Sequence, residues 1–171
     1  MTAAQWDIRP ARPEDVPRLK QIGVTGWETT YSAFITPENR AAYLAGDFWS
    51  LETLRRVVAD PGSLALVAES GGTIAAFITV EPRGDGEAGQ IEITRLYVDP
   101  GTQRSGIGAA LCRAAFDWAR QAGARAVIVN VFADNAPGRA FYERLGFTLT
   151  SLAPTTVGTQ TVGDAWYRLD L

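Results

Sequence analysis

Residues 90–132 constrain the fold more than any other part of the chain. Residues 90–99 (QIEITRLYVD) alternate apolar and polar side chains, which predicts a strand with two different faces. A glycine-rich loop and an amphipathic helix over 107–122 follow, and then comes the nearly continuous apolar run 126–132 (AVIVNVF), which is typical of a buried parallel strand. Because a helix joins the two strands, we expect them to lie parallel in one sheet.

The rest of the chain predicts antiparallel strands and further helices. Two apolar runs on either side of a tight glycine turn, at 64–69 and 73–81, predict an antiparallel hairpin. The remaining predicted strands are at 4–10, 147–152 and 164–171, the remaining helices are at 14–31, 36–44, 51–60 and 136–145, and a polar loop is predicted at 82–89. We therefore expect an α/β protein of the α+β type, with a single domain over residues 1–171 and a mixed, mostly antiparallel sheet flanked by helices.

Composition and charge limit the kinds of molecule or surface that the protein is expected to bind. The formal net charge is −3, which argues against a protein that coats nucleic acid or lies on a membrane surface. No apolar run approaches the about 20 residues that span a bilayer. The first residues, MTAAQWDIRPARPEDV, lack the basic and then apolar pattern of a signal peptide. A cytoplasmic protein is the expectation.

The residue types present also exclude several kinds of chemistry. The sequence contains no histidine, so it cannot form a Ser-His-Asp triad, a Cys-His pair or a histidine-ligated zinc site. Its single cysteine, Cys112, falls within a predicted helix and is expected to be a structural thiol. We expect no metal site.

The glycine-rich loop at 99–111 (DPGTQRSGIGAAL) allows two interpretations. It is either an ordinary turn from a strand to a helix, or an anion site in which glycines let a phosphate approach the free N–H groups of the helix N-terminus. A P-loop requires a lysine and a hydroxyl residue after its last glycine, and both are absent. The dinucleotide fingerprint requires a third glycine where Leu111 stands.

The pattern that does fit is Q/R-x-x-G-x-G/A, which residues 103–108 (QRSGIG) satisfy. With this pattern the sequence resembles the GNAT-type N-acetyltransferases. The resemblance extends to IEITRLYVDPGTQRSGIGAAL, VNVFADNAPGRAFYERLGF, the closing WYRLDL and the opening IRPARPEDVPRL, and it is strongest over 92–147. It implies a central pair of parallel strands that splay apart to hold acetyl-CoA.

The resemblance assigns the cosubstrate contacts position by position. The backbone of Leu96, Tyr97 and Val98 is expected to bind the pantetheine arm as an added strand would. The loop is expected to surround the pyrophosphate, with contacts from Gln103, Arg104, Ser105, Gly106, Ile107 and Gly108. Arg104 and Arg139 either bind the outer phosphates or are solvated surface arginines.

Asn135, Tyr142 and Glu92 match residues near the thioester in the family. Asn135 is expected both to contact acetyl-CoA and to cap the following helix. Tyr142 is either a core aromatic or the acid that protonates the leaving thiolate. Glu92, expected on the same strand face as Leu96 and Val98, is either a solvated or ion-paired residue or the base that deprotonates the amine.

The implied reaction is direct attack by the amine, without an acyl-enzyme on Cys112 and with a backbone N–H near Val98 stabilising the oxyanion. Trp27 and Tyr31 share one helix face and are candidates to contact the acceptor, with core packing as the alternative for Trp27. The acceptor is expected to be a small-molecule or peptide amine, and homodimer formation is left open. A CoA-binding protein without catalysis, an enzyme using another acyl-CoA, and an interaction domain without a cofactor are the alternatives.

Overall fold

A computed structural model describes residues 6–84 and 87–171 of the chain. Residues 4 and 5 of the first predicted strand, and residues 85 and 86 of the predicted polar loop, lie outside this description. Among the described residues, no helix is long and apolar enough to cross a membrane.

A mixed sheet of seven strands forms the centre of the protein and confirms the predicted fold class. The strands are β1 (Asp7–Pro10), β2 (Leu64–Ser70), β3 (Thr73–Pro82), β4 (Gln90–Val98), β5 (Ala126–Phe132), β6 (Thr148–Val157) and β7 (Gln160–Asp170). Their order across the sheet is β1-β2-β3-β4-β5-β7-β6. The β4–β5 pair is parallel, as the crossover predicted, and every other neighbouring pair is antiparallel.

Five helices cover the two faces of this sheet. They are α1 (Val16–Tyr31), α2 (Pro37–Leu44), α3 (Leu51–Ala59), α4 (Ile107–Gln121) and α5 (Ala136–Arg144). Short 3₁₀ turns at Pro13–Asp15, Asp47–Trp49 and Pro100–Thr102 connect the elements. The predicted cap is confirmed at α5, where Oδ1 of Asn135 accepts a hydrogen bond from the N–H of Gly138 at 3.0 Å.

Each face of the sheet has its own apolar core. On the side we call the α4 side, α4 and α5 pack against a core that includes Ile78, Val80, Leu111, Val129 and Tyr167. On the opposite side, the α1 side, α1 and the 3₁₀ turn before α3 pack against a core that includes Leu19, Trp27, Trp49, Phe77 and Val162. Burial on both faces explains why β5 is apolar at nearly every position.

The hairpin of β6 and β7 is longer than the sequence predicts. The strands were expected at 147–152 and 164–171, but they continue to Val157 and start at Gln160, with Gly158 and Thr159 as the turn. No strand was predicted over residues 153–163, which include Pro154. Because β6 is the edge strand, Pro154 can lie within it without removing a hydrogen bond to a further strand. The positive φ of Gly158, 59°, suits a turn of this kind.

Two glycines set how closely α1 approaches the sheet. A Cβ atom on Gly23 would lie 2.1 Å from the ring of Trp49, and one on Gly26 would lie 2.9 Å from the ring of Tyr97. Both rings therefore fill space that any larger residue on α1 would need. The helix can pack flat against Trp49 and Tyr97 because these two positions have no side chain.

We expect Gly23→Ala to lower the free energy of unfolding by about 1–3 kcal/mol, because the added methyl group would overlap the fully buried ring of Trp49. Gly108→Ala is the matched control, since the added methyl there makes only ordinary contacts at 3.5 Å or more. Chemical denaturation of both variants measures the difference. Equal stabilities would show that α1 can move away from the sheet without cost.

Candidate functional site

The parallel strands at the centre of the sheet separate along most of their length. β4 and β5 pair only at Gln90–Ala126, Ile91–Val127 and Glu92–Ile128. Beyond Glu92, β4 remains paired with β3 as far as Val98, and β5 remains paired with β7 as far as Phe132. The C-terminal halves of the two strands therefore enclose a cleft, with unpaired backbone edges facing each other.

A β-bulge decides which side of the sheet the β4 side chains face. The β3–β4 register pairs Thr79 with Arg95 and Val80 with Ile93, so Thr94 is an extra residue. One extra residue reverses the alternation of side chains beyond it.

Glu92 consequently faces the α1 side. Its neighbours Ile91 and Ile93 belong to the core on the α4 side, and so do Leu96 and Val98 beyond the bulge. The expectation that Glu92 shares a face with Leu96 and Val98 is wrong, because simple alternation along the sequence does not include the bulge.

The β4 backbone presents polar groups to the cleft at alternate residues. The N–H of Asp99 donates to the carbonyl of Ala75 on β3 at 2.7 Å, which fixes the hydrogen-bonding phase of the ladder. In that phase the backbone of Tyr97 bonds to β3, whereas Leu96 and Val98 direct their N–H and C=O groups into the cleft. Of the three predicted backbone contacts, Leu96 and Val98 thus have the required orientation and Tyr97 does not.

The glycine-rich loop ends at the cleft, on the N-terminus of α4. Gly106 is the N-cap with φ 79°, and the first helical hydrogen bond runs from the N–H of Ala110 to the carbonyl of Gly106. The N–H groups of Ile107 and Gly108 therefore have no acceptor within the helix. Because the side chain of Ile107 is buried, only its backbone can contact a ligand. This end of α4 carries the positive end of the helix dipole.

Side chains hold the start of this loop in place. Asp99 accepts from the N–H of Gly101 at 3.0 Å and from Arg18 at 2.7 Å, and these two contacts lower the pKa of its carboxyl group. The hydroxyl of Ser105 donates to the carbonyl of Thr102 at 2.7 Å. The side chains of Gln103 and Arg104 are exposed at the loop.

Tyr142 lies on α5 beside the cleft and is 8% exposed. Its ring meets those of Phe141 and Phe147 edge-on, at 5.1 and 5.4 Å between ring centres. Burial raises the pKa of Tyr142 well above its ordinary value, so the phenol keeps its proton at neutral pH. It is both a core aromatic and a protonated acid.

Tyr31, Tyr97 and Tyr142 come together although they lie on three different elements. Burial raises the pKa of Tyr31 to about 12, and a hydrogen bond with the side chain of Asn135 acts in the opposite direction. Burial likewise raises the pKa of Tyr97, and electrostatic interactions with Tyr31 and Tyr142 add to the shift. Tyr142 belongs to the α4 side and Tyr31 to the α1 side, and electrostatic interaction with Tyr31 adds to the raised pKa of Tyr142 after the larger effect of burial.

Arg139 is held by internal hydrogen bonds. Its Nε donates to the hydroxyl of Tyr167 at 2.9 Å and its Nη1 to the carbonyl of Ala133 at 3.3 Å, while Tyr167 donates to Glu143 at 2.8 Å. These bonds fasten α5 to β7. They give Arg139 a structural role beside any contact with a phosphate.

Trp27 does not line an open pocket. It is 2% exposed, and its ring stacks on Tyr43 with 4.6 Å between ring centres. The expected contact of Trp27 with an acceptor is therefore corrected to core packing. In this core the ring of Trp27 meets the ring of Tyr31 edge-on, with 4.7 Å between ring centres. Tyr31 is half-buried and its ring meets Phe132 at 5.1 Å, at the edge of the cleft.

Several residues on the α1 side of the cleft were missed by sequence reasoning, namely Tyr43, Arg95, Asn130, Phe132 and Asp164. They lie far apart along the chain and belong to no short motif. Arg95 offered a signal, since Thr94 and Arg95 are two consecutive polar residues in a strand that otherwise alternates.

Cys112 is fully buried, and burial raises the pKa of its thiol to about 12. A thiol in this state is a poor nucleophile, as expected for a structural cysteine. In the described part of the chain, the acidic and sulfur side chains form no group that could hold a metal ion.

Comparisons with known proteins agree with this geometry. Residues 27–147 match the model of the Acetyltransferase (GNAT) family. The mycothiol acetyltransferase of Pseudarthrobacter chlorophenolicus is 35% identical over 91 residues, which cover 52% of this chain and 28% of that protein, so the chain spans little more than a quarter of that relative. The streptothricin acetyltransferase of Streptomyces lavendulae is 30% identical over 169 residues, covering 86% of this chain and 84% of that protein.

A solved structure shares the fold over nearly the whole chain. The PaiA N-acetyltransferase of Thermoplasma acidophilum, crystallised in complex with coenzyme A, superposes with a TM-score of 0.77 at 23% identity, covering 94% of this chain and 98% of that chain. The match of the family model to residues 27–147, and the splayed strands beside the glycine-rich loop, confirm the resemblance seen in the sequence: the chain belongs to the GNAT family of acetyltransferases.

Proposed function

We propose that this chain binds acetyl-CoA in the cleft between β4 and β5 and transfers the acetyl group to a primary amine. The observation that carries the proposal is the separation of these strands beyond Glu92, directly beside the free N–H groups of α4. An amide-containing arm can bond to the backbone of Leu96 and Val98, as a further strand would. The end of α4 supplies N–H groups and a positive dipole for a pyrophosphate.

The side chains around the cleft then divide the contacts with acetyl-CoA. Gly106 and Gly108 let the phosphates approach the backbone, and Gln103, Arg104 and Ser105 surround them. Asn135, whose Oδ1 caps α5, keeps its amide group beside Tyr31. Arg139 contributes chiefly by holding α5 against β7.

Glu92 and Tyr142 lie on opposite sides of the cleft, and in a direct transfer Glu92 would be the base and Tyr142 the acid. Glu92 faces the α1 side and would accept, directly or through water, the proton that the ammonium group loses before the neutral amine attacks. A β4 amide near Val98 would stabilise the oxyanion as the new C–N bond forms. As the C–S bond breaks, the nitrogen would lose its second proton to solvent. Tyr142 would give its proton to the thiolate and regain one from solvent. Cys112, buried and protonated, takes no part.

The acceptor is proposed to be a small-molecule or peptide amine on the α1 side. The names of the relatives include a small-molecule acetyltransferase that this chain matches along most of its length, which supports the first choice. Function as one domain over 1–171, the cytoplasmic location and homodimer formation stay predictions from the sequence.

Calorimetry with acetyl-CoA, followed by CoA release in the presence of a panel of amines, tests the proposal. Binding and amine-dependent release of CoA are expected. Binding without release by any amine would favour a CoA-binding protein without catalysis, and no binding would favour an interaction domain. Release of CoA from a longer acyl-CoA but not from acetyl-CoA would show that the acyl donor is not acetyl-CoA.

The Gly106→Glu variant is expected to weaken acetyl-CoA binding by orders of magnitude, because a carboxylate would occupy the phosphate site. Gly123→Glu is the matched control: it lies at the other end of α4, has φ 76° against 79° for Gly106, and likewise has nothing within 4 Å of an added Cβ. The two variants should lose similar stability. Equal acetyl-CoA affinities by calorimetry would contradict the phosphate assignment.

Tyr142→Phe should slow the chemical step about 10²-fold, with acetyl-CoA affinity near the wild-type value, because the ring stays and the proton donor is lost. Tyr167→Phe is expected to do the reverse: it loses hydrogen bonds to Arg139 and Glu143 and should lower stability by about 1–2 kcal/mol without slowing chemistry. Single-turnover kinetics and denaturation separate the two effects. An unchanged chemical step in Tyr142→Phe leaves that residue as a core aromatic only.

Glu92→Gln should lower the rate most below the pKa of the amine, where removal of a proton limits attack. The pH–rate profile of the variant, measured with the first amine found to release CoA, is the readout. If the profile of the variant overlays that of the wild type, bulk water is the base.

A further inference from the structure

The α1 side of the sheet is open to solvent at its centre. Asn130 lies on β5, between β4 and β7, where a side chain is normally covered, and yet it is exposed. Its neighbour on the same face, Ile128, is buried. The opening therefore lies over the middle of β5, beside the cleft that separates β5 from β4.

One flank of this opening is closed by a set of hydrogen bonds that joins the α1–α2 connection to the β6–β7 turn. Oδ1 of the buried Asn39 accepts from the N–H of Thr159 at 2.9 Å, and its Nδ2 donates to Gln160 at 3.0 Å. Gln160 in turn accepts from the N–H of Thr36 at 2.7 Å and donates to the carbonyl of Phe34 at 3.2 Å.

The other flank is closed where the 3₁₀ turn Asp47–Trp49 is fastened to β4. Nη2 of Arg95 donates to the carbonyl of Phe48 at 2.7 Å, and its guanidinium lies 3.7 Å from the centre of the Phe48 ring. Arg95 is 2% exposed and pairs with Glu81 at 3.4 Å. Removing this buried charge from its partners would be costly, so the attachment is firm.

Both flanks of the opening are therefore closed by hydrogen-bonded segments. A polypeptide that crossed the sheet in extended form would need a channel of roughly 10 Å, about two strand spacings. Direct hydrogen bonds of 2.7–3.2 Å between Gln160 and the α1–α2 connection leave no such channel on that flank. An extended chain is thus blocked on that flank, whereas the end of a chain or a small molecule could still reach the exposed Asn130.

The side chains around the opening include a carboxylate suited to an ammonium group. Asp164 on β7 lies opposite Phe132, is 7% exposed, and accepts a hydrogen bond from Nδ2 of Asn130 at 2.7 Å. With its Nδ2 used in this bond, the Asn130 amide has its oxygen for a donor on the ligand. Tyr43 adds an aromatic wall, and the charge of Asp164 contributes to the raised pKa of its phenol, after the larger effect of burial.

We infer that Asp164 and Asn130 bind the ammonium group of the acceptor, and that the acceptor is a small amine or the end of a chain rather than a lysine within an extended polypeptide. This inference rests on the proposed function, because it supplies the acceptor of the same reaction. Glu92, on the same face and nearer the closed end of the cleft, would then receive the proton.

The first test compares Asp164→Asn with Asp170→Asn in CoA-release assays with cadaverine and Nα-acetyl-lysine N-methylamide. Asp170 is the matched control, since it lies on the same strand but pairs with Arg168 at the surface. Asp164→Asn should raise the KM for the amine about 10-fold or more while acetyl-CoA affinity is unchanged. Asn130→Ala is expected to raise the same KM, and denaturation checks that losing the hydrogen bond to Asp164 leaves the variant folded.

The second test compares the single blocked lysine with a blocked nonapeptide that carries one central lysine. The reacting side chain is identical, so a kcat/KM about 10²-fold or more lower for the nonapeptide is expected from the closed flanks alone. Equal kcat/KM values for the two probes, or equal KM values for Asp164→Asn and Asp170→Asn, would overturn the inference and leave the proposed function standing. Failure of the wild type to bind acetyl-CoA would instead contradict the proposed function.

Discussion

The backbones of β4 and β5 give up their mutual hydrogen bonds beyond Glu92 and Ile128, and the site is built around that separation. Each strand stays fixed because its other neighbour remains paired, β3 on one side and β7 on the other. The bulge at Thr94 bends β4 just where the separation begins. Backbone groups left unpaired in this way need water or a ligand, so the opening is at once a structural cost and a binding surface.

The separation also brings phenol groups of the two cores close enough to affect a pKa across the cleft. Tyr142 belongs to the core on the α4 side and Tyr31 to the α1 side, and an intact sheet would keep them apart. Here the phenol of Tyr31 adds to the raised pKa of Tyr142 across the gap. Both phenols hold their protons because burial disfavours the phenolate. In the proposed reaction, donor and acceptor would thus approach one reaction centre from opposite faces, the donor at α4 and the acceptor at α1 and α2.

Local sequence signals predicted the parts of the site that depend on local conformation. The glycine-rich loop, the start of α4 and the cap at Asn135 each need particular residues at neighbouring positions, so they could be recognised in the sequence. Predictions failed where a residue's environment depends on distant elements. The face of Glu92 was predicted wrongly because a bulge is set by pairing with β3. For Trp27 the sequence left acceptor contact and core packing open, and its contacts with Tyr43 and Phe132 decide for core packing. The full length of β6 was not predicted, because only the sheet order shows that β6 is an edge strand, in which Pro154 can lie.

The sequence by itself determined the order of strands and helices, the parallel crossover, the glycine-rich loop at the start of α4 and the absence of histidine, because periodicity, turn residues and composition act over short stretches of chain. The tertiary structure alone decided where β4 leaves β5, which side Glu92 faces and which residues meet at Asn130. Those features arise from hydrogen bonds and packing between segments far apart in sequence, such as Asn130 with Asp164 and Asn39 with Gln160. No local pattern encodes such pairs, since each partner is free to vary until the fold brings them together.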